Sequence, residues 1–145
     1  MKYTDSAIRR TLKSRIFQLN ILYSNMFQSD VTLGRLENNI SNKQRKFHYD
    51  VYKINKKIFK EYELMDVFLR IDMLHPKNDK TKRELKSAIA FSNILYSNKF
   101  ESDLTFSRTD KSDKSVVEFH KKVYDSQEKV YNEHYKDIVK LINKL

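Results

Sequence analysis

A six-residue string, Asn-Ile-Leu-Tyr-Ser-Asn, occurs twice in this chain, at residues 20–25 and 93–98. At an offset of 73 positions, fifteen of the 24 residues from 12 to 35 are identical to those from 85 to 108. The match resumes at an offset of 72, with the pairs Phe47/Phe119, His48/His120, Val51/Val123, Val67/Val139 and Leu69/Leu141. We interpret the pattern as an internal duplication, with repeat 1 over about residues 1–75 and repeat 2 over about residues 77–145.

The length of 145 residues suits one domain. A single repeat of roughly 70 residues would bury too little surface to be comfortably stable alone. We therefore predict one domain, residues 1–145, in which the two units pack about a pseudo-twofold axis as the subunits of a homodimer would. Pro76 and the polar residues 77–82 are predicted to link the repeats.

One Gly and one Pro leave little material for hairpin turns, which favours an all-α helical bundle. The first helix is predicted over about residues 5–26. It rests on apolar residues at spacings of three and four, namely Ile8, Leu12, Ile16, Leu19, Tyr23 and Met26.

The second helix is predicted to open at a capping box formed by Ser41 and Gln44. Its apolar stripe, predicted to face the core and with one break expected near Tyr62, consists of Phe47, Val51, Ile54, Ile58, Met65 and Phe68. In repeat 2, Ser115 and Glu118 predict another capping box. A stripe of Val116, Phe119, Val123, Val130, Ile138, Leu141 and Leu145 is interpreted as the seam either of the bundle or of a dimer.

Between the long helices of each repeat, residues 25–32 and 98–105 share the pattern Asn-x-Phe-x-Ser-Asp-x-Thr. These residue types are typical of a corner, because Asn tolerates the left-handed conformation that ends a helix and Ser or Asp caps the next. Residues 36–46 and 109–118 would then be an exposed loop or short helix. The alternative is a polar pocket formed by Ser24, Asn25, Asp30 and Thr32 and again by Ser97, Asn98, Asp103 and Thr105.

The sequence offers little for catalysis, so we predict a protein that is not an enzyme and has no cofactor. It has no cysteine, and its lone Gly34 cannot build a glycine-rich phosphate loop. The four histidines lack a metal-ligand spacing. Only the equivalent pair His48 and His120 could share a metal across the pseudo-twofold axis, and packing on Tyr52 and Tyr124 is the simpler interpretation.

The formal net charge of +10 and the pI near 9.6 invite a nucleic-acid partner, although an AT-rich genome would also enrich lysine. Candidate phosphate contacts at the start of the first helix and its counterpart are Arg9, Arg10, Lys13, Lys82, Arg83 and Lys86. A second basic row contains Lys53, Lys56, Lys57 and Lys60. Without an apolar signal or a membrane-spanning run, we expect a cytoplasmic protein with no membrane association.

Residues 8–23, Ile-Arg-Arg-Thr-Leu-Lys-Ser-Arg-Ile-Phe-Gln-Leu-Asn-Ile-Leu-Tyr, resemble the opening helix of the NusB transcription antitermination family. The similarity extends more faintly over residues 7–69. The resemblance implies an all-helical domain that binds single-stranded boxA-type RNA together with a ribosomal protein. Arg9 and Arg10 would contact the RNA, with Lys13 as an addition.

Two functions follow as hypotheses. The first is an RNA-binding helical adaptor of NusB type, working with a ribosomal or transcription protein. The second is a protein-interaction or self-associating helical bundle, in which an apolar seam is buried in a partner or in a homodimer and the charge reflects composition.

Overall fold

A computed structural model describes residues 4–75 and 79–145, and these residues form helices without a strand. The all-α helical bundle predicted from the sequence is confirmed. The chain divides into two compact units, Met1–Pro76 and Lys77–Leu145. This boundary agrees with the repeat boundary in the sequence. The pseudo-twofold packing of the repeats stays a prediction, as does their origin by duplication.

Unit 1 is a helical hairpin. Helix α1 covers Asp5–Gly34, and its first turn is capped by Thr4, whose side chain accepts a hydrogen bond of 3.1 Å from the amide of Ala7. Helix α2 covers Asn42–Tyr62 and begins at the capping box predicted for Ser41 and Gln44. The chain then runs through a π-helical turn, Glu63–Phe68, into the short helix α3, Leu69–Met73.

Unit 2 is a simpler hairpin of helices α4, Asp79–Arg108, and α5, Lys114–Lys144. Helix α5 is capped by Asp113, which accepts bonds from the amides of Ser115 and Val116. The predicted capping box of Ser115 and Glu118 is therefore wrong, because the helix begins two residues earlier than that box requires. Of the predicted linker, residues 76–78 lie outside the described residues, and residues 79–82 already belong to α4.

The predicted corners are also wrong, because residues 25–32 and 98–105 continue α1 and α4 without interruption. Their hydroxyl groups bond to the helix backbone behind them: Ser29 donates to the carbonyl of Met26 at 2.8 Å, and Thr105 to that of Glu101 at 3.0 Å. No described non-glycine residue has a positive φ, so no Asn ends a helix in the left-handed conformation. The loops shrink accordingly to residues 35–41 and 109–113.

The two hairpins use the same inner contact. Tyr23 packs edge-on against Phe59 with ring centroids 5.3 Å apart, and Tyr96 packs against Tyr131 at 5.5 Å. Aliphatic residues with an exposure of 4% or less extend each core, in unit 1 along α1 and from the π-helical turn to Leu74, and in unit 2 along α4 and from the end of α5 to Leu145. They are Ile8, Leu12, Ile16, Leu19, Val67, Ile71 and Leu74 in unit 1, and Leu85, Ile89, Ile138, Ile142 and Leu145 in unit 2.

The π-helical turn explains a difference between the hairpins. In α5 the buried residues Tyr131 and Ile138 are seven positions apart, whereas their counterparts Phe59 and Val67 are eight apart. The amide of Leu69 bonds to the carbonyl of Leu64, five residues back, so this turn holds one residue more than an α-helical turn. The extra residue keeps Val67 on the buried side.

The π-helical turn changes which residues of the two units correspond near their ends. At an offset of 72, Val67 and Leu69 were paired with Val139 and Leu141. By burial, Val67 corresponds to Ile138, while Leu69 is exposed. An offset of 71 pairs the buried residues beyond the π-helical turn, and the break expected near Tyr62 is this widened turn within a continuous helical segment.

Candidate interaction surfaces

The apolar residues predicted as the core stripe of α2 lie largely on its outer side. Phe47 is 63% exposed, Ile54 59%, Ile58 44% and Met65 66%. With the half-buried Val51 they form what we call the α2 stripe. Helix α2 turns a different face towards the core, the one that carries Phe59, so the predicted core role of this stripe is wrong.

Helix α5 repeats this arrangement. Val116, Phe119 and Val130 are exposed and Val123 is half-buried, and we call these four residues the α5 stripe. The predicted seam combined two different faces. Its members Ile138 and Leu145 are buried in the core, whereas the α5 stripe is a separate outward surface.

The residues of both stripes follow a heptad rhythm. Spacings of four, three, four and seven residues connect the members of the α2 stripe, and spacings of three, four and seven connect those of the α5 stripe. Glu61 occupies the one polar position of the α2 stripe, between Ile58 and Met65. Such spacing places side chains in a narrow line along one side of a helix, as at a helix–helix seam.

Lysines border the α2 stripe on one side. Lys46, Lys53 and Lys60 are exposed and seven residues apart, with Lys57 beside them, and we call these four the lysine row. Lys53 lies with its Nζ 5.4 Å from the ring centroid of Tyr49. Lys56, included in the sequence prediction, is half-buried with its Nζ 5.9 Å from the ring of Tyr52.

The basic row predicted from the sequence did not include Lys46, although its seven-residue spacing from Lys53 is a usable signal. Two carboxylates accompany the lysine row. Asp50 lies 2.8 Å from the Nζ of Lys46, and this hydrogen bond raises the pKa of that ammonium group. Glu61 lies 3.9 Å from the Nζ of Lys57. The border of the α2 stripe thus keeps an excess of positive charge.

The predicted RNA contacts differ in how accessible they are. Arg10 and Arg83, which are equivalent in the repeat, are exposed. Lys82 is only 7% exposed, so its predicted contact with a phosphate is not favoured. The other three, Arg9, Lys13 and Lys86, are half-buried and, like Lys82, have interaction partners within the protein.

Near Arg9, the carboxylate of Asp5 accepts a hydrogen bond of 2.9 Å from the imidazole of His75. This bond, together with the positive charge of Arg9, lowers the pKa of Asp5. The negative charge beside Arg9 further reduces its value as a phosphate contact, which leaves Arg10 as the better placed arginine at the start of α1.

The predicted polar pocket does not assemble. Ser24 and Ser97 are buried, while Asn25, Asp30 and Thr32 and their counterparts Asn98, Asp103 and Thr105 are exposed. His48 and His120 each pack edge-on against the preceding phenylalanine, with ring centroids 5.3 Å apart. Over residues 4–75 and 79–145, no group of three or more potential metal ligands comes together.

Ser24 and Ser97 have a property that the sequence did not reveal. Both hydroxyl groups are buried without a hydrogen-bond partner among the described residues. By contrast, the hydroxyl of the buried Ser92 donates to the carbonyl of Ile89 at 2.6 Å. A buried hydroxyl that loses its bond to water and gains none in return destabilises the fold.

We therefore expect Ser97→Ala to raise the free energy of unfolding by about 1 kcal/mol, since it removes an unsatisfied hydroxyl and adds a better helix former. Ser92→Ala is the matched control and should lower it by about 1 kcal/mol. Urea denaturation followed by circular dichroism measures both. A loss of stability in Ser97→Ala similar to that in Ser92→Ala would contradict the assignment.

Comparison with known protein families, curated proteins and solved structures finds no match to this chain. Within residues 4–75 and 79–145, no helix has the length and apolar character needed to cross a bilayer. The fold and its surfaces define the class: an all-α helical protein with heptad-spaced apolar stripes on the outer sides of α2 and α5.

Proposed function

We propose that this protein is a non-enzymatic interaction protein that binds a helix of a partner protein along the α2 stripe. The observation that carries the proposal is the exposure of four large apolar side chains, Phe47, Ile54, Ile58 and Met65, in one heptad-spaced line. Contiguous exposed apolar surface of this kind usually marks an interaction site. Amphipathic helices are bound by such lines in many protein complexes.

The α5 stripe gives the protein a second surface of the same type. It has Phe119 where the α2 stripe has Phe47, and Val130 where the α2 stripe has Ile58. Its valines and the serine at position 126 present less apolar surface than the isoleucines of α2. We therefore assign the stronger binding to the α2 stripe.

A second candidate function is the binding of single-stranded RNA by a NusB-like adaptor. It is favoured by the exposure of Arg10 and Arg83 at matching positions of the two repeats. Arginine is well suited to contact phosphate groups. The candidate has fewer available contacts than the sequence predicted, because Lys82 is buried and three further basic residues are partly buried.

The test of the proposed function uses a fluorescent three-heptad peptide with leucine at the seam positions and glutamine at the flanking positions. We expect saturable binding to the wild-type protein, and binding weakened more than tenfold by Ile54→Ser with Ile58→Ser, since the α2 stripe supplies the apolar contact. The readout is fluorescence anisotropy at physiological salt. Ile94→Ser is the matched control, because Ile94 is 46% exposed on α4 and Ile58 44% exposed on α2.

Unchanged affinity in the double variant would overturn the proposed function. The second candidate is decided in the same assay with boxA-like and scrambled RNA. A preference for the boxA-like RNA that disappears in Arg10→Ala with Arg83→Ala would favour the RNA adaptor instead. If both RNAs bind equally and salt removes the binding, the binding is non-specific and the positive charge reflects only the composition of the chain.

A further inference from the structure

The width of the α2 stripe indicates which kind of partner binds there, an inference that rests on the proposed function. The stripe is narrow along α2, where it extends from Phe47 to Ile58 over about 16 Å. It continues to Met65 in the π-helical turn, beside the exposed Leu64. On one side it meets the lysine row, and on the other the half-buried residues His48, Asn55 and Tyr62. A helix lying on a lipid surface buries a broader apolar sector. The narrow line fits the seam of a paired helix.

Charge distinguishes between the helices that could lie there. The lysine row contributes four exposed ammonium groups, and the neighbouring carboxylates are those of Asp50 and Glu61. In a helix pair, the residues directly beside the seam meet those of the partner helix. On the side of the lysine row these are Asp50, Lys57 and Leu64, and the other members of the lysine row lie further from the seam, so the row acts by charge attraction over a longer distance. An acidic helix would therefore be attracted along this border and a basic helix repelled.

A second copy of the chain does not offer an acidic helix to the lysine row. Pairing α2 with α2 would place two lysine rows in one interface, and like charges in such a position are unfavourable. Pairing α2 with the α5 stripe would bring the lysine row to a border where charges balance. That border contains Glu118, Lys122, Asp125 and Lys129.

RNA is also a poor partner for the α2 stripe, because the exposed side chains of the stripe are mainly aliphatic. Proteins hold unpaired bases by stacking them on aromatic rings or arginine planes. Within the α2 stripe only Phe47 offers a ring, and the long line of Ile54, Ile58 and Met65 would stay unused.

We propose that the α2 stripe binds an acidic amphipathic helix of another protein, with apolar residues of that helix along the stripe and carboxylates facing the lysine row. Lys53 and Lys60 are the residues that would select its charge. They are exposed, lie seven positions apart, and each directly precedes a position of the stripe, Ile54 and Glu61.

The test compares three labelled peptides of equal length with leucine at the seam positions: one with glutamate at the flanking positions, one with lysine there, and a scrambled acidic peptide. We expect the acidic peptide to bind the wild-type protein at least tenfold more tightly than the lysine peptide and the scrambled peptide. The preference should decrease as salt is raised. Lys53→Glu with Lys60→Glu should reverse the order of the two amphipathic peptides, while Ile94→Ser should leave it unchanged.

The outcomes separate this inference from the proposed function. Equal affinity for the acidic and lysine peptides, lost in Ile54→Ser with Ile58→Ser, would overturn the acidic partner while the docking surface stands. Loss of all peptide binding to the wild-type protein would overturn both. A dimer in light scattering that Ile54→Ser with Ile58→Ser converts to a monomer would show that the stripe is occupied by a second copy. Circular dichroism of each variant establishes that it is folded.

Discussion

Deletion of Leu64 should leave unit 1 folded, whereas deletion of Asn132 should abolish the native packing of unit 2. Both residues are exposed, and each lies between two buried residues of its helical segment. Without Leu64, Phe59 and Val67 would be seven residues apart, as Tyr131 and Ile138 are in α5. The π-helical turn could then close to an α-helical turn with the buried face in register.

The deletion of Asn132 cannot be absorbed in this way, because α5 is a regular α-helix around Asn132 without a widened turn. Every residue beyond the deletion would rotate by roughly 100° about the helix axis. The buried residues Ile138, Ile142 and Leu145 would leave the core. We expect a loss above about 5 kcal/mol in the free energy of unfolding, since each displaced aliphatic residue is worth about 2–5 kcal/mol.

Deletion of Leu64 should lower the free energy of unfolding by less than about 2 kcal/mol, which is in the usual range for a single mutation. Denaturant unfolding followed by circular dichroism compares the two proteins with the wild type. Similar losses in both deletions would mean that the π-helical turn does not accommodate an extra residue and that the corrected offset of 71 is wrong.

Truncation of a buried and of an exposed isoleucine in unit 1 should have very different effects on stability. Ile71→Ala should lower the free energy of unfolding by about 3 kcal/mol, because Ile71 is fully buried and its truncation leaves a cavity. Ile54→Ala should lower it by less than about 1 kcal/mol, because Ile54 is 59% exposed. The same pair of residue types is compared within one helical segment, so intrinsic helix propensity cancels.

Thermal and urea unfolding of the two variants provide the measurement. A larger loss for Ile54→Ala than for Ile71→Ala would contradict the assignment of the α2 stripe to the surface, and with it the proposed docking site. Peptide binding gives the opposite ranking, since Ile54 contributes to the proposed interface and Ile71 does not contact it.

Much of the local structure could be predicted from the sequence because it depends on neighbouring residues. The apolar spacing of Ile8, Leu12 and Ile16 indicated the buried face of α1, and Ser41 with Gln44 indicated where α2 begins. The near absence of Gly and Pro indicated an all-α fold. The corner predicted at residues 25–32 failed because Ser and Thr can also bond to the carbonyl of a preceding turn and remain helical.

The face of α2 that is buried was decided by tertiary structure. Periodicity favoured the apolar line through Ile54 and Ile58 over a second, shorter line through Tyr52 and Phe59. The contact of Phe59 with Tyr23 on α1 selects the second line. The candidate site is the first line, which remains outside because a helical hairpin covers only part of each helix.

The sequence by itself determined the helical class and where α1 and α2 begin, since these depend on residue types and spacings within a few turns. Only the tertiary structure decided the accessibility of Arg10 against Lys82, the exposure of the α2 stripe and the widened turn at Glu63–Phe68. The physical reason is that burial is a property of pairs of distant segments. A one-residue difference in register between repeats becomes visible only when their buried residues are compared.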